Sequence, residues 1–439
     1  MNKRSALVIL LVVAAVAVGI GFSRGSGVAK RSVLVLMLDT LRADHLGTYG
    51  YQRDTSPVLD TFAKENVKFS YAVTAAPWTP PSVASMFTGV YPATHGWMPP
   101  NRRDEVKQMA VKLDQNLTTL AETFKANGYS TAAVSPNPWI TEEFGYQQGF
   151  DTFTFSARAP AEEIVKIGTA KIDQLAGEGK PFFVYLHFLD PHDPYTPPGE
   201  YKTAFTGEVP GRSYPPKELQ RMNLYDGEIK YMDNQIGKLF AHLKDEGLYD
   251  DLTIIVVADH GEQFMEHGQH GHGHQLFNEE VHVPLLVKSP KIDAGRVIDV
   301  TASTVDIFPT ALDAAGIASP QGLPGVSLMN DTALEARAGV FTEIEKDFRQ
   351  KAFTTPDGVK LIRQTNPNES DVVLGVFDFR KDPLEKSSIK DQEVVATLSN
   401  ELSEANRYAL EGRLEGSETA RAQMKDSTIE QLKTLGYLQ

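Results

Sequence analysis

The 439-residue sequence has no cysteine and only three tryptophans. The missing thiol excludes disulfides, thiolate metal sites, a cysteine nucleophile and a lipidated N-terminal cysteine. Positive charge is also scarce: 43 Lys and Arg face 57 Asp and Glu, for a formal charge of −14. Such a body is a poor non-specific binder of nucleic acid, and its carboxylates are available to cations. Internal repeats and low-complexity tracts are absent. The one long apolar run, Ala6–Phe22, follows Lys3 and Arg4 and leads into the small residues Ser23–Gly27. It is long for a signal-peptide core and at the short limit of a membrane span. The basic flank keeps the N-terminus cytoplasmic and sends the chain across the membrane. Residues 1–30 are therefore expected to be an uncleaved anchor, with a cleaved secretory signal as the alternative. Both place the body outside the cytoplasm.

What is present is ordinary for a folded enzyme-sized chain, with 41% apolar and 23% charged residues. One large α/β core with a smaller appendage fits this length. Three short apolar runs each end in an acid: Ser32–Leu38 before Asp39, Pro181–Leu189 before Asp190, and Leu252–Ala258 before Asp259 and His260. Runs without alternation are what strands buried on both faces look like. Gly128–Val134 and His282–Val287 read as further strands of the same sheet. Ser56–Asn66, Leu117–Asn127, Ala161–Ala176 and Leu224–Glu246 read as helices, and Val300–Gly316 as one more that closes the domain. Residues 31–320 then form the catalytic domain. From about Gly339 the pattern turns to short alternating strands, with turns at Pro356–Gly358 and Asn366–Asn368. Gln392–Leu410 and Ala420–Leu438 follow as helices, so residues 321–439 form a C-terminal subdomain with a helical tail.

In open α/β sheets, ligands sit beyond the carboxyl ends of the strands. Asp39, Asp259 and His260, two carboxylates and an imidazole at such ends, suit a divalent cation with an open position for substrate. The stretch AAPWTPPSVASMFTG (75–89) reads as a helix start, with Thr79 as N-cap, Pro80 at N1 and Gly89 as the stop. A hydroxyl there feels the positive helix end and nearby amide donors, which favours an oxyanion. Six of the eleven histidines fall between 260 and 282. Of these, His270 and His272 singly read as solvent-exposed, and His282 as structural. Asp190 and His192, spaced i, i+2 on an extended segment, can face one cavity. His187, on its strand, reads as a satisfied core histidine, and His95 as a structural one.

On these residues the sequence resembles the sulfatase branch of the alkaline-phosphatase superfamily. The matching pieces, in order, are VLVLMLDTLRADHLGTYGY (33–51), TPPSVASMFTGVYPATHG (79–96), FFVYLHFLDPHDPY (182–195), VVADHGEQFMEHG (256–268) and NEEVHVPLLVKSP (278–290). The resemblance implies an α/β fold: a mostly parallel sheet flanked by helices, with a C-terminal antiparallel α+β subdomain. It also implies one divalent metal ion (Ca, Mn, Mg or Zn) and a nucleophile that attacks sulfur or phosphorus. Carried over by position, Asp39, Asp259 and His260 are metal ligands, with Thr79 as both ligand and nucleophile. Thr40 stands where many sulfatases have a second Asp. His192 and His274 would serve the substrate or its leaving group, and Asn137 would bind substrate. A second metal at Asp190, His192 and His267 or His274 is the two-metal variant. The departures concern the nucleophile. Sulfatases convert the Cys or Ser of C/S-x-P-x-R to formylglycine; here the stretch is Thr79-Pro-Pro81-Ser-Val83, and threonine cannot become that aldehyde. The Gly-Lys-Trp-His stretch of many sulfatases is replaced by Ser135-Pro-Asn-Pro138. A metal-activated threonine resembles the superfamily's phosphodiesterases, nucleotide pyrophosphatases and phosphoglycerol transferases. The expectation is thus a phosphate-ester hydrolase or transferase, phosphodiesters first, acting on a small-molecule, glycan or lipid-linked ester. The alternatives are a sulfuric ester hydrolase without formylglycine and a non-catalytic binding protein. Nucleic acid is not an expected partner; the membrane is, through residues 1–30.

Overall fold

A computed structural model describes residues 31–97, 109–346, 349–365, 370–413, 421–435 and 437. Its centre is an eight-stranded sheet in the order Val297–Ile298, Val67–Phe69, Leu285–Lys288, Thr253–Ala258, Val33–Leu38, Phe182–Phe188, Ser130–Ser135, Thr152–Phe155. The last five are mutually parallel, and Leu285–Lys288 runs antiparallel to both of its neighbours. Val33–Leu38 lies in the middle with all six residues at 0% exposure, as an unalternating apolar run requires of a strand covered on both faces. Each such side chain contributes roughly 1.5–3 kcal/mol of burial. Ala161–Gly177 packs on the strands Phe182–Phe188 and Ser130–Ser135, and Ile307–Ala315 packs on Val33–Leu38 and Thr253–Ala258. The α/β fold with a mostly parallel, helix-flanked sheet is as expected.

A second, four-stranded antiparallel sheet carries the C-terminal region: Val340–Glu345, Arg349–Thr354, Val359–Thr365 and Val372–Asp378. Gly358, at φ +89°, makes the turn expected at Pro356–Gly358. The turn expected at Asn366–Asn368 lies outside the described residues. The helix Gln392–Glu411 covers the sheet, burying Leu398, Leu402 and Ala409.

Several elements differ from expectation for local reasons. His282–Val287 is two strands, because Pro284 has no N–H for a continuous ladder; His282–Val283 pairs with Ala72–Val73, and only Leu285–Lys288 joins the main sheet. Val300–Gly316 begins as a strand, Ala302–Ser303, followed by a 3₁₀ turn, before the helix starts at Ile307. The long helix is Pro216–Asp245, eight residues earlier at its start than Leu224. Ala420–Leu438 is not one helix: Arg421–Gln423 pairs with Met109–Val111, and the helix is Asp426–Thr434. Among the described residues no helix is long and apolar enough to cross a membrane; the expected anchor, residues 1–30, lies outside them.

Candidate active site

Val33–Leu38 and Thr253–Ala258 are paired in register, Leu38 against Ala258, so the next residues, Asp39 and Asp259, emerge side by side. Both are fully buried. Asp39 Oδ2 accepts from Asn137 Nδ2 at 2.7 Å and from His187 Nε2 at 2.8 Å. Asp259 Oδ1 accepts from the main-chain N–H of Thr40 at 3.1 Å and of His260 at 2.9 Å. Among the described residues, Asp259 Oδ2 has no hydrogen-bond partner, and neither has the buried Thr40 Oγ1. Thr40 sits at φ +56°, a conformation costly for a β-branched residue. Tyr225, on the long helix, holds it by donating to Thr40 O at 2.8 Å and accepting from Arg42 N–H at 3.0 Å.

The two carboxylates are electrostatically unlike. Burial raises the Asp39 pKa, but the His187 hydrogen bond and the nearby imidazoles outweigh it and hold it at about 2. Burial, and then the Asp39 charge, push Asp259 well above the usual carboxylate range. Ligand atoms of Asp39, His187 and Asp259 all lie within 4.8 Å of one another. His260 Nε2 is 3.7 Å from Asp39 Oδ1 and 3.5 Å from Asp259 Oδ2. Its Nδ1 is 2.9 Å from Gly261 O, a bond that needs the proton on Nδ1 and leaves the Nε2 lone pair facing the acids. His187 differs. Its Nε2 donates to Asp39 while its Nδ1 accepts from Tyr185 O–H at 2.8 Å, so it orients Asp39. An orphaned carboxylate oxygen, a second carboxylate and an inward imidazole lone pair form a donor set that fits a divalent cation. Asp39, Asp259 and His260 could hold it.

Thr79 opens the helix Thr79–Thr88, but as its first helical residue; Trp78 takes the N-cap place. Pro80 and Pro81 have no N–H, and the Ser82 N–H goes to Trp78 O at 3.4 Å. The expected cluster of amide donors is therefore reduced, and the helix end contributes mainly its dipole. Thr79 Oγ1 instead meets His260 Nε2 at 3.1 Å, Asp39 Oδ1 at 3.5 Å and Tyr437 Oη at 3.4 Å. Ser82 fastens this helix to the acid edge, its hydroxyl donating to Asp259 O at 2.7 Å. Gly261 permits the close fit beside His260, since a Cβ there would lie 2.1 Å from Glu279 O.

The remaining expected residues divide. His192 reaches the site: its Nδ1 is 2.6 Å from Asp193 O and its Nε2 2.6 Å from Tyr437 Oη. Burial lowers its pKa against the pull of Asp39. Asn137 is there too, bound to Asp39. Asp190 is not turned to the acid pair; its Oδ2 accepts from Ala161 N–H at 2.9 Å, which caps a helix, and burial raises its pKa to about 6. His267 goes to Glu279 and stacks on Phe277 with 3.7 Å between ring centroids, so a second metal at Asp190, His192 and His267 does not assemble. His274 has its main-chain N–H on Glu280 and lies near enough to His272 to lower that ring's pKa. His95 and His282 are structural, bonded to Ser85 and to Ser70 O.

Four residues run against the sequence reading or were missed by it. His187 is a satisfied core histidine, yet its partner is Asp39. His272 is not solvent-exposed: its ring lies 4.3 Å from that of His260 and 5.1 Å from that of His192, with Nδ1 3.2 Å from the buried Glu262. Burial, His260 and His192 hold its pKa well below normal. Tyr437, two residues before the last of the sequence, packs against Trp139 with 6.0 Å between ring centroids and touches both Thr79 and His192. Lys346, just after the strand Val340–Glu345, brings a cation over Trp78 at 5.6 Å. Its signal in the sequence is nil.

A profile of the family described as Sulfatase matches residues 31–317, and one described as N-sulphoglucosamine sulphohydrolase, C-terminal, matches residues 266–409. The chain is 26% identical to an ulvan-active sulfatase of Formosa agariphila, over 68% of this chain and 64% of that protein. It is 23% identical to an arylsulfatase of Clostridium perfringens, over 92% of this chain and 99% of the relative. Among solved structures, the phosphonate monoester hydrolase of Agrobacterium radiobacter superposes with a TM-score of 0.69 at 19% identity, covering 90% of this chain and 100% of that one.

Proposed function

This chain belongs to the sulfatase family of hydrolases, and within it we propose a metal-dependent enzyme that attacks phosphate esters, phosphodiesters first, through Thr79. The observation that carries the reading is the Thr79 hydroxyl, 3.1 Å from His260 Nε2 and 3.5 Å from Asp39 Oδ1, in a chain with no cysteine to modify. When bound at Asp39, Asp259 and His260, a divalent cation supplies a Lewis acid that lowers the hydroxyl pKa and offsets charge on the substrate. The protein does the rest by positioning. Asn137 and His187 fix Asp39, the N–H groups of Thr40 and His260 fix Asp259, and Ser82 locks the Thr79 helix to the same edge. Thr79 Oγ1 bonds to phosphorus, the leaving oxygen departs, and water or an alcohol then releases the phosphoryl group from Thr79. His192, with its Nδ1 proton committed to Asp193 O, presents an Nε2 lone pair able to exchange protons with the reacting oxygens. His274, one neighbour further out, would serve substrate binding.

Export across a membrane by residues 1–30, with a small-molecule, glycan or lipid-linked ester as substrate, belongs to the same proposal. A sulfuric ester hydrolase that uses unmodified threonine is the second reading, favoured by the sulfatases among the relatives. Parallel kcat/KM measurements on an aryl sulfate, a phosphate monoester and a phosphodiester separate the two, and sulfate turnover above phosphodiester turnover would select the second. Thr79→Ala is expected to lower kcat by about 10³-fold or more. Full activity in that variant would remove Thr79 as nucleophile.

A further inference from the structure

The hydroxyl of Tyr437 lies between two groups that the chemistry needs. It is 3.4 Å from Thr79 Oγ1 and 2.6 Å from His192 Nε2. The direction of the hydrogen bonds follows from the next contact outward. His192 Nδ1 lies 2.6 Å from a carbonyl oxygen, so the proton sits on Nδ1 and Nε2 can only accept. Tyr437 therefore donates to His192 and, beside its contact with the Asn137 amide, keeps a lone pair that can accept from Thr79. Among the described residues, the other polar neighbours of the Thr79 hydroxyl are Asp39 Oδ1 and His260 Nε2, and both belong to the cation site proposed above. With those two committed, Tyr437 is the remaining route for the threonine proton.

We propose that Tyr437 is a catalytic residue, the phenol link of a Thr79–Tyr437–His192 proton relay that the C-terminal tail delivers to the nucleophile. The inference rests on Thr79 being the nucleophile. As the Oγ1–P bond forms, the Thr79 proton passes to Tyr437 and the Tyr437 proton passes to His192. The phenol ends as it began, and His192 carries one added proton. The bond from phosphorus to the leaving oxygen breaks, and His192 returns that proton to the departing oxygen. The sum is one ester bond exchanged for another, with no proton gained or lost.

The tail is built into the body as a working part would be, not hung from it as a removable plug. Its strand Arg421–Gln423 pairs with Met109–Val111. Glu143 accepts from Lys425 N–H at 2.8 Å and from Thr428 O–H at 2.7 Å. Ile429, Leu432 and Leu435 are buried. A segment that must leave to admit substrate would have to break all of these contacts.

Tyr437→Phe keeps the ring on Trp139 and removes only the relay oxygen, so the variant should fold with an unchanged melting temperature. Formation of the covalent adduct on Thr79 is followed by rapid quench and mass spectrometry, with bis(p-nitrophenyl) phosphate as probe. Tyr437→Phe and His192→Gln are each expected to slow adduct formation by about 100-fold with little change in KM. The double variant should be no slower than either single one, because the two groups act as one unit. Unchanged or faster adduct formation in Tyr437→Phe overturns the relay, as does a double variant whose losses multiply. If wild type turns the probe over without any Thr79 adduct, it is the nucleophile assignment that fails, and that outcome is read independently of Tyr437.

Discussion

Lys360, in the C-terminal sheet, and Asp259, at the edge of the main sheet, are both ionisable groups at 0% exposure. Each also has a strained non-glycine residue in its network: Glu385 at φ +50° and Thr40 at φ +56°. Their surroundings differ in one respect. Lys360 Nζ is fully engaged, by Leu276 O at 2.9 Å, Asn278 Oδ1 at 2.9 Å and Glu385 Oε1 at 2.8 Å. Asp259 keeps one oxygen without a partner, against a second carboxylate. Burial and strain are common to both, so neither marks the reaction centre. An unmet acceptor alone does not either, since Glu385 Oε1 also lacks a hydrogen bond. What sets Asp259 apart is an unmet oxygen held against a second carboxylate, and a buried polar group left unpaired costs about 1–3 kcal/mol unless something binds there. Lys360 and Glu385 join the C-terminal sheet to the segment 276–278 and are architecture; Asp259 is kept short of a partner.

The largest effect that would sharpen this contrast is in activity. Asp259→Asn should lower kcat/KM by about 10³-fold or more, while the metal-free protein keeps or gains about 1 kcal/mol through loss of like-charge repulsion. Denaturant titration beside the activity assay checks both halves, and a large loss of stability would make Asp259 structural. Lys360→Met should do the reverse. It leaves Glu385 buried without its cation, at a cost of about 3–5 kcal/mol read from the unfolding midpoint, with turnover by the folded fraction near wild type. The smallest effect comes from Asp233, a buried carboxylate that is satisfied but unpaired: its oxygens accept from Val58 N–H at 2.9 Å and Leu59 N–H at 2.8 Å. Burial raises its pKa to about 7, only partly offset by those bonds. The folded state thus binds this proton more tightly than the unfolded chain does. Its contribution is fully present below about pH 4, the unfolded pKa, and is lost as pH rises through about 7. Asp233→Asn should flatten the fall in melting temperature over that window.

How much could be read in advance follows from the range of each signal. Strands ending in Asp39 and Asp259 were legible because burial on both faces writes an unbroken apolar run over six residues. The helix beginning at Thr79 was legible from Pro80 and Gly89, though its cap was misplaced by one residue. Pro284 divides a run that composition alone joins. Asp190, one residue further past its strand than Asp39 and Asp259 are past theirs, went to a helix N-terminus instead, because the start of Ala161–Gly177 lies beside it. His187 and His272 carry no local mark that separates them from His95 and His282. Which partner each ring finds is a matter of packing.

The sequence by itself determined most of the strands and helices, the acids at the strand ends, and a hydroxyl at the start of the helix Thr79–Thr88. These are short-range facts, set by periodicity, capping and side-chain chemistry. The tertiary structure decided which oxygens stay unpaired, which histidines converge, and that the phenol of Tyr437 returns across 358 positions to Thr79. No pattern along the chain encodes such a contact, because its energy comes from the tail packing against a surface that exists only once the sheet has folded.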